Sequence, residues 1–158
     1  MSISSPSRPA DSHVDPVFRY VRRVEVRFRD LDALGHVNHV VYLSYVEQVR
    51  TLYFQEVLGI DVPVGLTWVI ARVTCEYLLP LAFAENVDVG WRISRLGRAS
   101  ADYEFVLMRG PEVVGRGGGV LVNSDARAAR SAQIPDGWRA AVATFEGIAP
   151  LVRRRVGS

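Results

Sequence analysis

Residues 39–58, HVVYLSYVEQVRTLYFQEVL, carry one unbroken helical pattern of about five turns, apolar around most of its circumference. On a helical projection Ser44, Gln48, Thr51 and Gln55 gather on one side, with Glu47 at its border. Val41, Tyr42, Leu43, Tyr45, Val46, Val49, Leu52, Tyr53, Phe54 and Val57 fill the remainder. A helix with so wide an apolar surface must be enclosed by other structure. Gly59 supplies a C-terminal stop, and Asn38, just before the apolar run, reads as the N-cap.

The flanking patterns say what encloses it. Tyr20 to Phe28 alternates, with Val24, Val26 and Phe28 on one face and Arg23, Glu25, Arg27 and Arg29 on the other, which is the mark of a half-buried strand. After the helix, Leu66 to Leu79 places Val69, Ala71, Val73, Cys75, Tyr77 and Leu79 on one parity. Asn86 to Leu96 does the same with Val87, Val89, Trp91 and Ile93. Ala101 to Arg109 follows Gly97, and Val113 to Asn123 follows the turn at Arg109-Gly110-Pro111. A short helix is expected from Pro135 to about Phe145, because proline is tolerated in a first helical turn. Closely spaced strands pair antiparallel, and one sheet must cover one broad apolar helix. The expectation is an α+β domain, an antiparallel five-stranded sheet wrapped around one long central helix.

Composition narrows the partners. The 158 residues suit one domain, with a leader over 1–18 rich in Ser, Pro and Asp, a folded unit over 19–147 and a tail over 148–158, both ends expected to be flexible. Net charge is +2, from 19 basic and 17 acidic groups, too small a surplus to make nucleic acid the main partner. Every basic residue is arginine, the side chain best shaped for phosphate, so a phosphorylated small molecule fits. Cys75 is the only cysteine, which leaves no intramolecular disulfide and no thiolate metal cluster. No apolar run reaches the length of a membrane span, and no signal core stands at the N-terminus. A cytoplasmic protein is expected.

Between the first strand and the helix lies the polar, glycine-containing loop RDLDALGHVN, residues 29–38. With DLDALGHVNHVVYLSYVEQVR over 30–50, the chain resembles the hotdog fold, and more narrowly the 4-hydroxybenzoyl-CoA thioesterase-like family of acyl-CoA thioesterases. The resemblance runs from about Tyr20 to Phe145. Its most specific part is Asp32-x-x-Gly35-His36-x-Asn38, followed by an aromatic-rich helix with Glu47 and Arg50. It implies cleavage of an acyl-CoA or acyl carrier protein thioester to free acid and thiol. Asp32 would act as nucleophile or general base, and the backbone N–H of His39 would polarise the carbonyl. No cofactor is implied, coenzyme A being part of the substrate. The resemblance also implies a homodimer or homotetramer with the site at the dimer interface. Plant-type acyl carrier protein thioesterases share a related Asp, His, Asn, Glu arrangement, matching Asp32, His36, Asn38 and Glu47. They carry an Asn where this chain has Leu34, so their mechanism does not transfer whole.

Residue chemistry supports the same set. Free N–H groups at a helix start suit a developing oxyanion, and a carboxylate can attack directly or draw a proton from water. Asp32 also has the ordinary reading of a turn aspartate. His36 is read as a positioning group, its alternative a loop histidine packed on Tyr42. Asn38 caps the helix and shapes the site. Glu47 either pairs with Arg50 at i+3 or supplies the attacking carboxylate, as in another branch of hotdog thioesterases; Asp32 is preferred. Arg95, Arg98 and Ser100, around the turn 96–100, fall where the family carries nucleotide-contacting residues, and are candidates for CoA phosphates. Tyr42, Tyr45, Trp68 and Val69 serve equally as pocket lining or core.

Other readings fit less well. The run Gly115-Arg116-Gly117-Gly118-Gly119 lacks the Lys-Ser/Thr of a phosphate loop and signals close backbone approach. Asp32, His36 and His39 match no standard zinc spacing, so no metal is expected. A hotdog enoyl-thioester hydratase or dehydratase is the alternative function. Its motif sets Asn-Pro between the Asp and a His five residues on, whereas the gap here is four and the filler is Ala-Leu-Gly.

Overall fold

A computed structural model describes residues 8–149. The elements run β1 (Tyr20–Glu25), α1 (His39–Glu56), β2 (Trp68–Tyr77), β3 (Asn86–Leu96), β4 (Ser100–Arg109), β5 (Glu112–Asp125), β6 (Arg130–Ser131) and α2 (Asp136–Glu146). All pairings are antiparallel, in the order β1-β3-β4-β5-β2, with the two-residue β6 added beside β5. The fold is the expected one, an antiparallel sheet packed on a long helix. The sixth short strand and its pairing with β5 were not expected from sequence.

Alternation builds the core. On β4 Ala101, Tyr103, Phe105 and Leu107 are buried beneath α1, while Asp102 and Glu104 face outward. Tyr53 of α1 sits among Tyr20, Phe54, Trp91 and Phe145, with ring centroids 5.3, 6.4, 4.7 and 5.7 Å away. Burial of each such side chain contributes about 1.5–3 kcal/mol. The helix ends as expected: Gly59 is left-handed at φ 68°, and the Ile60 N–H reaches back to the Phe54 carbonyl at 3.1 Å, a Schellman-type closure.

Three departures matter. The first strand stops at Glu25 rather than Phe28, because its ladder ends where β3 begins, at Glu25 opposite Asn86. The chain then turns through a 3₁₀ segment at Phe28–Asp30. Phe28 is therefore not on the inner face but 77% exposed, edge-on to Phe83. On β2 a register shift between Ile70 and Arg72 breaks the single apolar parity. Trp68, Ile70, Val73, Cys75 and Tyr77 share the inner face instead, each opposite an inward residue of β5. Finally, residues 8–18, expected as a flexible leader, are laid across the outer face of the sheet. Val14 is buried there with Val21, Val106 and Met108. Gly90 makes room for it, since a Cβ there would stand 2.8 Å from Val14 Cγ1 and 3.0 Å from Phe18 Cβ. The ends of the expected leader and tail, 1–7 and 150–158, lie outside the described residues.

The glycine run of β5 is explained by the same crowding. A Cβ at Gly117 would overlap the Thr74 carbonyl and stand 2.6 Å from Phe105 Cζ; one at Gly119 would overlap the Arg72 carbonyl and stand 2.9 Å from Tyr103 Oη. The rings of β4 thus lie across β5, and the Tyr103 O–H reaches the Arg72 carbonyl of β2 at 3.3 Å. No helix among the described residues is long and apolar enough to cross a membrane.

Candidate active site

The loop between β1 and α1 folds into a tight hairpin. The Asn38 N–H donates to the Asp30 carbonyl at 3.0 Å and the Asp32 N–H to the His36 carbonyl at 2.8 Å. Leu31 and Val37 bridge between them. Gly35 turns the tip at φ 78°, a backbone conformation that glycine adopts without steric cost. The Val37 N–H ties the hairpin to the Leu81 carbonyl at 2.9 Å. This is why a polar loop places its residues reproducibly at one end of the helix.

Asp32 sits at the tip. Its Oδ1 accepts from the Leu34 N–H at 2.8 Å and the His36 N–H at 3.4 Å, so the turn-aspartate reading is correct as far as this oxygen goes. Asp32, His36 and His39 line one cavity of about 310 Å³, walled by Val37, Tyr42, Tyr77 and Leu78 to Pro80. Tyr42 closes one wall by donating its O–H to the Leu79 carbonyl at 2.9 Å. Its ring stands edge-on to Tyr77, which stands edge-on to His39.

Asn38 is the N-cap, its Oδ1 accepting from the Val40 N–H at 3.1 Å. The first-turn N–H of His39 donates no hydrogen bond among the described residues, and His39 lines the same cavity as Asp32. The outcome is a carboxylate and a free amide at the positive end of a helix, opening on one aromatic-walled cavity.

Glu47 is not part of this cavity. It is exposed on the helix and 3.6 Å from Arg50, the ion-pair reading. Arg50 itself is largely buried, and desolvation lowers its pKa from the usual arginine value. Arg95, Arg98 and Ser100 stand apart as well. Arg95 is held by Asp102 at 2.6 Å, and the Arg98 carbonyl accepts from the Ile134 N–H at 2.9 Å. Their turn lies at the opposite end of β3 from the cavity, about 30 Å along the strand. Among the described residues no three His, Cys, Asp or Glu side chains stand together as a metal site.

Tyr77 and Leu78 to Pro80 had not been placed at the site, and Tyr45, Trp68 and Val69 do not line it. Trp68 stacks between Phe54 and Trp138 in the core. Tyr45 donates instead to Asp30, which sequence reasoning passed over. A tyrosine in the buried stripe of a helix needs an acceptor for its O–H, and that requirement was the available signal.

Comparison with known proteins agrees with this fold. The description of the thioesterase-like superfamily matches residues 26–142. A thioesterase of Thermus thermophilus, solved with coenzyme A and zinc, is 39% identical, with 82% of this chain and 95% of that one covered at a TM-score of 0.72. PA2801, a putative thioesterase of Pseudomonas aeruginosa, is 33% identical over 78% of this chain and 97% of that one, TM-score 0.71. The uncharacterized protein YsmA of Bacillus subtilis is 28% identical over 56% of this chain and 60% of its own length; the match thus spans less than two thirds of that relative.

Proposed function

The chain belongs to the thioesterase-like superfamily, and on that premise we propose that it hydrolyses an acyl-CoA thioester with Asp32 as the attacking carboxylate or general base. The observation that carries the proposal is the shared cavity of Asp32 and the His39 end of α1. The thioester carbonyl oxygen would accept from the His39 N–H, which offsets charge as the carbonyl carbon is attacked. Either Asp32 draws a proton from water as its oxygen bonds to that carbon, or Asp32 bonds to it and water opens the resulting anhydride. In both routes the C–S bond breaks and the thiolate leaves; CoA thiolate is stable enough to need no acid. His36 orients the carboxylate, Asn38 holds the helix start, and Glu47 supports Arg50 from outside the cavity. The route asks for no metal.

A second copy of the chain completes the reading. β2 is the outer strand of its sheet, with Ile70, Val73 and Tyr77 of its inner face about 40% exposed. A long, apolar, unpaired edge is a template for another strand. Antiparallel pairing of β2 with its copy about a twofold sets the Trp68 end of one strand beside the Tyr77 end of the other. The turn bearing Arg95, Arg98 and Ser100 flanks the Trp68 end, through the Asn123 N–H bond to the Ala99 carbonyl. It would thereby approach the partner's Asp32 cavity, where its arginines can meet CoA phosphates.

The test is thiol release from a panel of short, long and aromatic acyl-CoAs, with wild type beside Asp32→Asn and Glu47→Gln, each with and without chelator. The expected result is a loss of about 10²–10⁴-fold for Asp32→Asn, partial impairment for Glu47→Gln and no effect of chelator. Release unchanged in Asp32→Asn but abolished in Glu47→Gln would move the attack to the helix. No release from any substrate would overturn the hydrolase reading and send the enoyl-CoA hydration assay forward.

A further inference from the structure

Asp30 carries a carboxylate that the proposed reaction does not use. It is 5% exposed. Its Oδ2 accepts from the Tyr45 O–H at 2.6 Å and from the Arg27 N–H at 2.9 Å, and Arg27 Nε lies 3.6 Å away. Its backbone carbonyl accepts the Asn38 N–H at 3.0 Å. One residue therefore fastens both strands of the hairpin and the second turn of α1 together.

Stability alone does not call for such a group. Burying a carboxylate costs several kcal/mol unless it is well bonded, and apolar residues of similar volume serve packing as well or better. What the pair adds is direction. Burial pushes the Asp30 carboxyl up, but the bonds from Tyr45 and the Arg27 N–H outweigh it and hold it below the usual aspartate value. Desolvation and the facing charge push the Tyr45 phenol above its usual range. The donor and acceptor roles are thus constant, and the bond is short and charge-assisted. Tyr45 and Tyr42 are three apart and share a helix face. Tyr45 fixes the hairpin wall of the cavity, while Tyr42 fixes the opposite wall at Leu79.

We infer that Asp30 and Tyr45 are positioning residues for Asp32: the pair sets where the hairpin, and with it the Asp32 carboxylate, stands relative to the N–H at the start of α1. The inference rests on Asp32 acting in the hydrolysis proposed above. Small displacements of a reacting group cost about 10²-fold in rate, so the signature is a loss in kcat with KM retained.

The experiment compares Tyr45→Phe and Asp30→Asn with Tyr53→Phe, which loses the equivalent tyrosine-to-carboxylate bond elsewhere on the same helix. Each is made in wild-type and Asp32→Asn backgrounds, and hydrogen exchange is followed over residues 31–38. Tyr45→Phe should lower kcat about tenfold and Asp30→Asn about a hundredfold, KM staying within about twofold. Tyr53→Phe should leave kcat within about twofold. In the Asp32→Asn background Asp30→Asn should add nothing, as expected of residues acting as a unit. The Asp32 and Asn38 amides should exchange faster in Tyr45→Phe and not in Tyr53→Phe. Wild-type kcat in Tyr45→Phe, an equal loss in Tyr53→Phe, or unchanged exchange over the hairpin overturns the assignment. Full turnover in Asp32→Asn sinks the hydrolysis reading instead, and the exchange comparison still decides whether the pair fixes the loop.

Discussion

The phenol of Tyr53 donates a 2.8 Å hydrogen bond to Glu146 Oε1, joining the last turn of α1 to the last turn of α2. The Ile93 N–H donates to the same oxygen at 3.2 Å, where β3 has run past the end of β1 and its amide would otherwise be orphaned. Glu146 Oε2 is buried and has no hydrogen-bond partner among the described residues. One side chain thus closes a sheet edge and anchors the final helix.

That arrangement makes stability depend on pH. Burial pushes the Glu146 carboxyl above its ordinary value of 4.5, against the opposing hydrogen bonds and the charges of Arg92 and Arg19. A raised acid binds its proton more tightly folded than unfolded, so its stabilisation is full below the ordinary value and is lost as pH rises through the raised one. The thermal midpoint of Glu146→Gln, which keeps the Oε1 acceptor, should therefore fall less than that of wild type as pH rises from about 4.5 toward neutrality. Parallel curves for the two proteins would refute it.

The wide apolar helix and the alternating strands were legible because the apolar positions of each pattern are the ones the core takes in, on α1 as on β3 (Val87, Val89, Trp91, Ile93) and β4 (Ala101, Tyr103, Phe105, Leu107). Asp32, His36 and His39 line one cavity because a tight hairpin keeps near neighbours in sequence near in space, and that much was legible. What sequence hid was long-range. The shift between Ile70 and Arg72 turns one parity into another without a local marker. The docking of Val14 depends on a missing side chain at Gly90, far along the chain. Asp30 looked like one more polar loop residue until Tyr45 met it. Arg95 and Arg98 cannot be tied to the site within one chain at all.

The glycines of β5 separate crowding from flexibility. Ala at position 117 or 119 would collide with the carbonyls of β2 and the rings of Phe105 or Tyr103. Backbone cannot yield cheaply, and such overpacking costs about 1–3 kcal/mol or more. Gly137, in the first turn of α2, has nothing within 4 Å of its would-be Cβ. Gly137→Ala should be neutral or gain up to about 1 kcal/mol. Urea midpoints for the three variants check this; equal stabilities would remove crowding as the reason for the run.

The segment on the outer face makes a local prediction. Val14 is buried to 1% against Val21, Val106 and Met108, and Arg8 donates to the carbonyls of Val14 and Phe18. Val14→Ala removes about 1.5–2.5 kcal/mol of burial, concentrated in a strap rather than the main core. Limited proteolysis should cut within residues 8–18 several-fold faster in the variant, with little change in the midpoint of global unfolding. Equal cleavage rates would mean that the strap is held by something other than Val14.

Cross-subunit assembly is tested most directly by mixing two defective proteins. If the Arg95 and Arg98 turn of one subunit serves the partner's Asp32 cavity, each site draws its carboxylate and its arginines from different chains. Take Asp32→Asn as one parent and a double variant, Arg95→Ala with Arg98→Ala, as the other. In a mixed dimer one site then carries both lesions and the other carries none. Random reassortment makes about half the dimers mixed, so co-refolding equal amounts should return about a quarter of wild-type turnover at subsaturating acyl-CoA, above the mean of the two parents. If both groups act within one chain, every site keeps one lesion and mixing returns only that mean. A Val73→Glu change in the edge of β2 should abolish the gain by placing a charge in the strand pairing. Its size in solution should fall to that of a monomer, and a gain that survives there would mean that the subunits meet through another face.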